Sequence, residues 1–226
     1  MRGSPQSFMT EKQVARMERV LETTKRLLGE EGTESMTLRD VARASKVSEG
    51  TLYNRFGSKE GLINAAVLDT LEHSAQVVME YKNAKTPLRR LLYSSAVLAD
   101  AMLATPGFTR ALMNAFFKDA RDNAIRERMT HVISRTWLPT LDEMEHAQLL
   151  RPWVSKTLLC EDLSNQVYVV AGRWAHGAYP DDELHDRLES ALLMVLFGVS
   201  RSRQQKEIEV TLIKVTKQLS VPRPKK

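Results

Sequence analysis

The sequence predicts an all-α fold, and three observations carry that prediction. Apolar residues recur at spacings of three and four along most of the 226-residue chain, the rhythm of helices with one buried stripe. Proline and glycine fall between those stretches, at Gly32, Thr86-Pro87, Thr105-Pro106, Arg151-Pro152 and Tyr179-Pro180, where one helix ends and the next starts. No convincing strand pair and no internal repeat is present. The length, with 42% hydrophobic residues, is enough to bury a sizeable core.

Residues 1–9 read as a disordered arm, since Arg2 is their one cation. Val14, Met17, Leu21, Thr24 and Leu28 give the first helix a buried stripe, and Gly32 stops it. Leu38, Val41 and Ala42 form the inward face of a second helix. Thr37 is its cap, or a first-turn residue behind Met36, and Arg39 and Arg43 lie on its other side. Val47 anchors the following turn. Ser48 caps a third helix, its hydroxyl accepting from a free backbone N–H, and Glu49 sits at the positive end of that helix dipole. Leu52 and Phe56, four apart, pack inward. Gly50 lets the backbone approach another surface closely. Thr51, Tyr53 and Asn54 can donate to phosphates or read base edges, and Arg55 and Lys59 add cations. Ser58 with Lys59-Glu60-Gly61 is the cap and first turn of a helix that continues through Ile63, Ala66 or Val67, Thr70 and Leu71. That helix links head to body. Two short amphipathic helices in tandem, the second with this tip, have the shape and chemistry of a helix-turn-helix entering a DNA major groove.

Downstream, Thr86-Pro87 starts a helix with Leu88, Leu91, Leu92, Ser95, Leu98 and Met102 inward. Asp119 or Asp122 opens another, which Pro139 should kink or break after Leu138. Two helices near the end stand out. One runs from about Lys156 to Trp174 with Leu159, Leu163, Val167 and Val170 on a face. The other runs from about Asp181 to Val199 with Leu184, Leu188, Leu192, Val195 and Val199 on a face. The run Leu192 to Phe197 is apolar nearly all round, so it needs cover on two sides. A second subunit can supply one of them, in a two-fold four-helix interface that includes Leu196. The alternative is a central helix buried within one subunit. Dimerisation also suits the head, because two recognition helices held about one DNA turn apart read a palindrome.

Met102, Phe108, Met113, Phe116, Phe117, Trp137, Tyr168 and Trp174 are candidates to line a small-molecule pocket, since such pockets are mostly apolar with a few polar groups. The same residue types equally fill ordinary cores.

Thr37-Leu38-Arg39-Asp40-Val41-Ala42, then Val47-Ser48-Glu49-Gly50-Thr51-Leu52-Tyr53-Asn54-Arg55-Phe56, then Ser58-Lys59-Glu60 resembles the N-terminal domain of tetracycline-repressor (TetR) family regulators. The motif covers roughly the first sixty or seventy residues. The resemblance implies a three-helix DNA-binding head, a helical ligand-binding and dimerisation body, a homodimer and a small-molecule effector. It places Thr37, Arg39, Ser48, Glu49, Gly50, Thr51, Tyr53, Asn54, Arg55 and Lys59 at DNA-facing positions. Tyr53 and Lys59 are implied to contact phosphates, and Glu49, Gly50 and Asn54 to set sequence preference. Two departures stand out: Lys46 occupies a turn position where the family usually has Gly, and Arg55 one where it often has His or Tyr. A left-handed backbone at Lys46 would cost roughly 1 kcal/mol relative to Gly, and its ammonium could add a phosphate contact.

The expected domains are a flexible arm (1–9), a helix-turn-helix DNA-binding domain (10–57), an effector-binding and dimerisation domain (58–200) and a basic tail (201–226). The net charge of +5 is uneven: +2 over 1–60, −3 over 61–200 and +6 over 201–226. A modest head charge suffices when a few cations are well placed. A single cysteine, Cys160, allows no internal disulfide and fits a cytoplasmic, reducing compartment. No apolar run approaches the roughly twenty residues that span a bilayer, so no membrane partner is expected. There is no phosphate-binding glycine loop, metal-ligand pair or nucleophile elbow, so no enzyme, metal or cofactor is expected. The expected function is a sequence-specific DNA-binding transcriptional regulator, a repressor released from its operator by an apolar or amphipathic effector. The rival is a helical protein-interaction scaffold that does not bind DNA.

Overall fold

The computed structural model describes residues 10–81, 84–118 and 124–220, with side chains described except at 114–118 and 124–125. Among the described residues ten α-helices follow in order: α1 (Glu11–Ser35), α2 (Leu38–Ser45), α3 (Glu49–Phe56), α4 (Lys59–Glu80), α5 (Pro87–Ala104), α6 (Pro106–Lys118), α7 (Ala124–His146), α8 (Lys156–Ala175), α9 (Leu184–Val199) and α10 (Ser202–Ser220), with a short 3-10 turn at Asp181–Glu183 before α9. No strand occurs among the described residues; Leu150 and Ser200 form one isolated antiparallel bridge. No single helix there is long and apolar enough to cross a bilayer. The arm at 1–9, and Asp119 and Asp122, lie outside the described residues.

The helix starts follow the capping chemistry. The side chains of Thr10, Thr37, Ser48, Ser58, Thr86 and Ser155 each accept from a backbone N–H in the first turn they cap. Pro87 and Pro106 begin α5 and α6, where a missing N–H costs nothing. Gly32 leaves helical geometry at φ 80°, as its place at the end of the first apolar stripe suggests.

The head packs α1, α2 and α3 around Val20, Met36, Leu38, Val41 and Leu52, all buried. One contiguous apolar cluster runs on into the body through Leu62, Ala66, Val67, Leu91, Met113, Leu141, Leu163 and Leu192. Lys25 adds a polar clasp. Its ammonium donates to Glu22 at 2.7 Å and to Asp69 of α4 at 2.8 Å. Burial alone would lower its pKa, but the bonds to Asp69 and Glu22 outweigh it and raise the pKa, so the ion pair tying α1 to α4 stays charged.

Four expectations need correction. Val14 is 42% exposed, and the buried face of α1 starts instead at Val20, because only its second half packs on the head and body. Pro139 neither breaks nor ends α7. An interior proline costs a helix about 3 kcal/mol, which burial of Trp137, Thr140, Leu141 and Met144 on either side offsets. The expected basic tail is mostly helix α10, whose Ile208, Leu212 and Val215 are buried; residues 221–226 lie outside the described residues. That helix explains the fourth correction. Leu159, Leu163, Val167, Leu188, Leu192 and Leu196, read as a subunit interface, are each at most 3% exposed within one chain. With α10 covering α9, and α6, α7 and α9 packed on α8, those faces point into their own core. Val170, Val195 and Val199 are only partly covered.

Candidate nucleic-acid interface

The head is built so that one face of α3 is anchored and the other stands clear. Leu52 is 1% exposed and Phe56 packs partly against the same core. A step of one residue round the helix turns Tyr53 outward, 53% exposed, with Asn54 and Arg55 also exposed. The α2–α3 turn is fixed by hydrogen bonds from the N–H of Val47 to the Ala42 carbonyl at 3.0 Å and of Lys46 to the Arg43 carbonyl at 3.4 Å. Lys46 adopts the left-handed conformation, φ 57° and ψ 46°, that the glycine usual at this point would favour. The Arg19 guanidinium crosses from α1 to donate to the Ser45 carbonyl at 3.0 Å, which satisfies the end of α2.

The remaining predicted residues divide by what holds them. Thr37 caps α2 and donates its hydroxyl to Asp40. That bond, with help from Arg43 and Arg39, holds the Asp40 carboxyl below its usual range, so it stays charged and pairs with Arg43 at 2.8 Å. Arg39 is exposed beside them. The hydroxyls of Ser48 and Thr51 meet at 2.7 Å, so both are engaged in capping α3. Glu49 and Gly50 are exposed in the first turn of α3. Lys59 is half-buried and reaches back to the Glu34 carbonyl at 3.3 Å, at the frayed end of α1. All eleven residues therefore lie on α2 or its N-cap, the turn, α3 or the first residue of α4, around one exposed helix tip. Sequence reading missed the role of Arg19, which acts from behind the tip; its signal lies in a contact 26 residues away in sequence that no local motif encodes.

In the body, two small cavities adjoin. Met102, Phe108 and Met113 line the larger, of about 50 Å³, together with Thr70 and Thr109. Trp137 lines the smaller, of about 20 Å³. Leu71, Ser74 and Leu98 line both, so α4 forms a shared wall. Two predicted pocket residues are elsewhere. Tyr168 exchanges a hydrogen bond with Thr130 at 3.1 Å, and Trp174 is fully buried with its indole N–H donating to Asp181 at 2.9 Å. Phe116 and Phe117 lie in α6, their side chains outside the described residues. The α4 contribution was missed because α4 was read only as the link between head and body; Thr70 and Ser74 each bond back to their own helix and expose little polarity to the cavity.

Residues 20–66, the end of α1 through the first third of α4, match the bacterial regulatory proteins of the tetR family. The chain is 27% identical over 173 residues to the HTH-type transcriptional repressor KstR of Rhodococcus jostii, covering 69% of this chain and 80% of KstR. It is 25% identical over 166 residues to the HTH-type transcriptional regulator BetI of Burkholderia thailandensis, covering 72% and 82%. Among solved structures, Thermus thermophilus FadR, a TetR-family repressor in complex with lauroyl-CoA, shares the fold with a TM-score of 0.66 at 20% identity, over 80% of this chain and 94% of FadR. The match spans the whole helix-turn-helix, so residues 20–66 are similar to the DNA-binding head of tetR-family regulators, and the body follows the fold of such regulators.

Proposed function

We propose that the protein is a homodimeric repressor whose paired α3 helices lie in the major grooves of a palindromic operator, and which a small apolar or amphipathic effector releases. The tetR-family match of its head and its similarity to the KstR repressors support a DNA-binding transcriptional regulator. The observation that carries the docking is the polarity of α3: Leu52 is locked into the core while Tyr53, Asn54 and Arg55 stand exposed on the other face. Repression is favoured because occupancy of a promoter suffices for it, and the similar KstR proteins are described as repressors.

The test is a gel shift with genomic fragments, repeated across salt. Tyr53→Ala or Lys59→Ala should weaken binding to every sequence by about tenfold each and flatten the salt dependence for Lys59, as lost phosphate contacts do. Asn54→Ala should instead change which sequences are preferred. Unaltered binding in both phosphate variants would refute the docking.

For the dimer, the exposed apolar residues of the last helices replace the buried set. Leu158 is 59%, Val169 50%, Met194 57% and Phe197 36% exposed on α8 and α9. We expect Met194→Asp with Phe197→Asp to shift sedimentation from dimer to monomer and to remove operator affinity, because a single head buries too little DNA. A dimer that persists in this variant places the interface elsewhere. For the effector, cavities of about 50 and 20 Å³ are far below the roughly 300 Å³ of a typical ligand site. A ligand here must select an expanded body, prying α4 from α5, α6 and α7. The recognition helix rides on the start of α4, so expansion changes the setting of the heads. Only a ligand that binds the expanded state more tightly can drive that shift.

A further inference from the structure

A groove of about 800 Å³ lies between Tyr81 after α4, the start of α5, α9 and α10, and it shares no lining residue with either of the small central cavities. We propose that this groove is a second small-molecule site, for an organic anion with an apolar body. Its volume already falls in the range of formed ligand sites, whereas the central cavities must expand first.

The lining fits both halves of such a ligand. Tyr81, Leu88, Leu92 and Val210 supply apolar surface. The Tyr81 ring is held by stacking on Tyr93 at a centroid distance of 3.8 Å, which gives the groove a rigid aromatic wall. Lys85, Arg89 and Lys214 supply cations, and none of the three makes an ion pair or side-chain hydrogen bond among the described residues. Two acids also line it. Glu207 accepts from the Gln204 amide at 3.1 Å, and half-buried Glu189 faces Lys214. Burial and the neighbouring Asp186 raise the Glu189 pKa against the pull of Lys214, which lessens the negative charge an incoming anion meets. Cations therefore outweigh acids around an apolar floor, the complement of an anionic head on an apolar body and a poor match for a cationic or uncharged one.

Two fluorescent probes with the same body separate the possibilities: 1-anilinonaphthalene-8-sulfonate and its uncharged counterpart N-phenyl-1-naphthylamine. The full-length protein should bind one sulfonate per chain, about tenfold more tightly than the uncharged probe, the worth of one charge-assisted contact. Arg89→Gln with Lys214→Gln should erase that preference. Val210→Trp, at a position 71% exposed, should fill the groove and weaken the sulfonate about tenfold or more without disturbing the fold, which a thermal melt checks. Ala101→Leu, on the wall of the central cavity, should leave sulfonate binding unchanged. The proposal is overturned if the sulfonate fails to saturate, if both groove variants bind it like the wild type, or if Ala101→Leu abolishes it.

Discussion

Gly61→Ala is expected to weaken operator binding about a hundredfold, although Gly61 touches no DNA in the proposed docking. It sits in the first turn of α4, where an added methyl carbon would stand 2.0 Å from the Phe56 carbonyl oxygen at the end of α3. That obstacle is backbone, so no side chain can rotate away to relieve it. Either α3 shifts off its seat or the first turn of α4 unwinds. Overpacking of this kind costs about 1–3 kcal/mol or more. Spent on the setting of α3, it weakens operator affinity about a hundredfold. Gly50 is the informative partner. A methyl there meets nothing within 4 Å, so Gly50→Ala should leave the free protein as stable as before or slightly more so, by up to about 1 kcal/mol from helix propensity. If the backbone of α3 lies close to DNA at Gly50, the same change weakens operator binding without touching the fold. A melt and a gel shift on both variants sort the two glycines. Undiminished operator binding by Gly61→Ala would mean that α3 does not depend on this contact for its position.

The head was legible because its signals are local. Ser48 three residues before Thr51, Leu52 four before Phe56, and Ser58 three before Gly61 specify caps and one inward face without reference to the rest of the chain. Lys46 was legible as a departure, and the left-handed conformation found there is the one glycine would have favoured. The body was legible only as helices. The faces of α8 and α9 were read as meeting another subunit at Leu159, Leu163 and Leu192, because the apolar run Leu192 to Phe197 needs cover on two sides and residues 201–226 were not expected to supply any. Their charge of +6 marked them as a basic tail, but Ile208, Leu212 and Val215 recur at four and three and bury a stripe on α9. Charge sat on the outer face of a helix whose inner face is core. Likewise Pro139 signalled a break because the rule is local, while the burial that overrides it comes from distant helices.

Trp174 illustrates why an aromatic in the body is a poor guide to a ligand, and its removal should have the largest effect on stability. It is fully buried on α8, its indole N–H donates to the Asp181 carboxylate, and the Arg110 guanidinium lies 4.7 Å over its ring. Arg110 also pairs with Asp181 at 2.5 Å, so one cluster ties α6 to α8 and to the turn before α9. Trp174→Ala removes the ring and leaves a cavity, at a cost of about 3–5 kcal/mol. For a chain of this length each kcal/mol lowers the melting temperature by roughly 2–4 °C, so a drop of about 10 °C or more is expected. Trp174→Phe keeps most of the packing and loses the hydrogen bond, so it should cost only about 1–2 kcal/mol. Asp181 retains Arg110 in both variants, which limits any penalty from an unpaired carboxylate. Because Trp174 lines neither central cavity, effector response in the Phe variant should match the wild type, whereas bulk added at Leu98, Met102 or Met113 should alter it. A small change in melting temperature for Trp174→Ala would show that the α6–α8 contact closes around the missing ring. The link between the body's far side and α6 would then be looser than the buried indole implies.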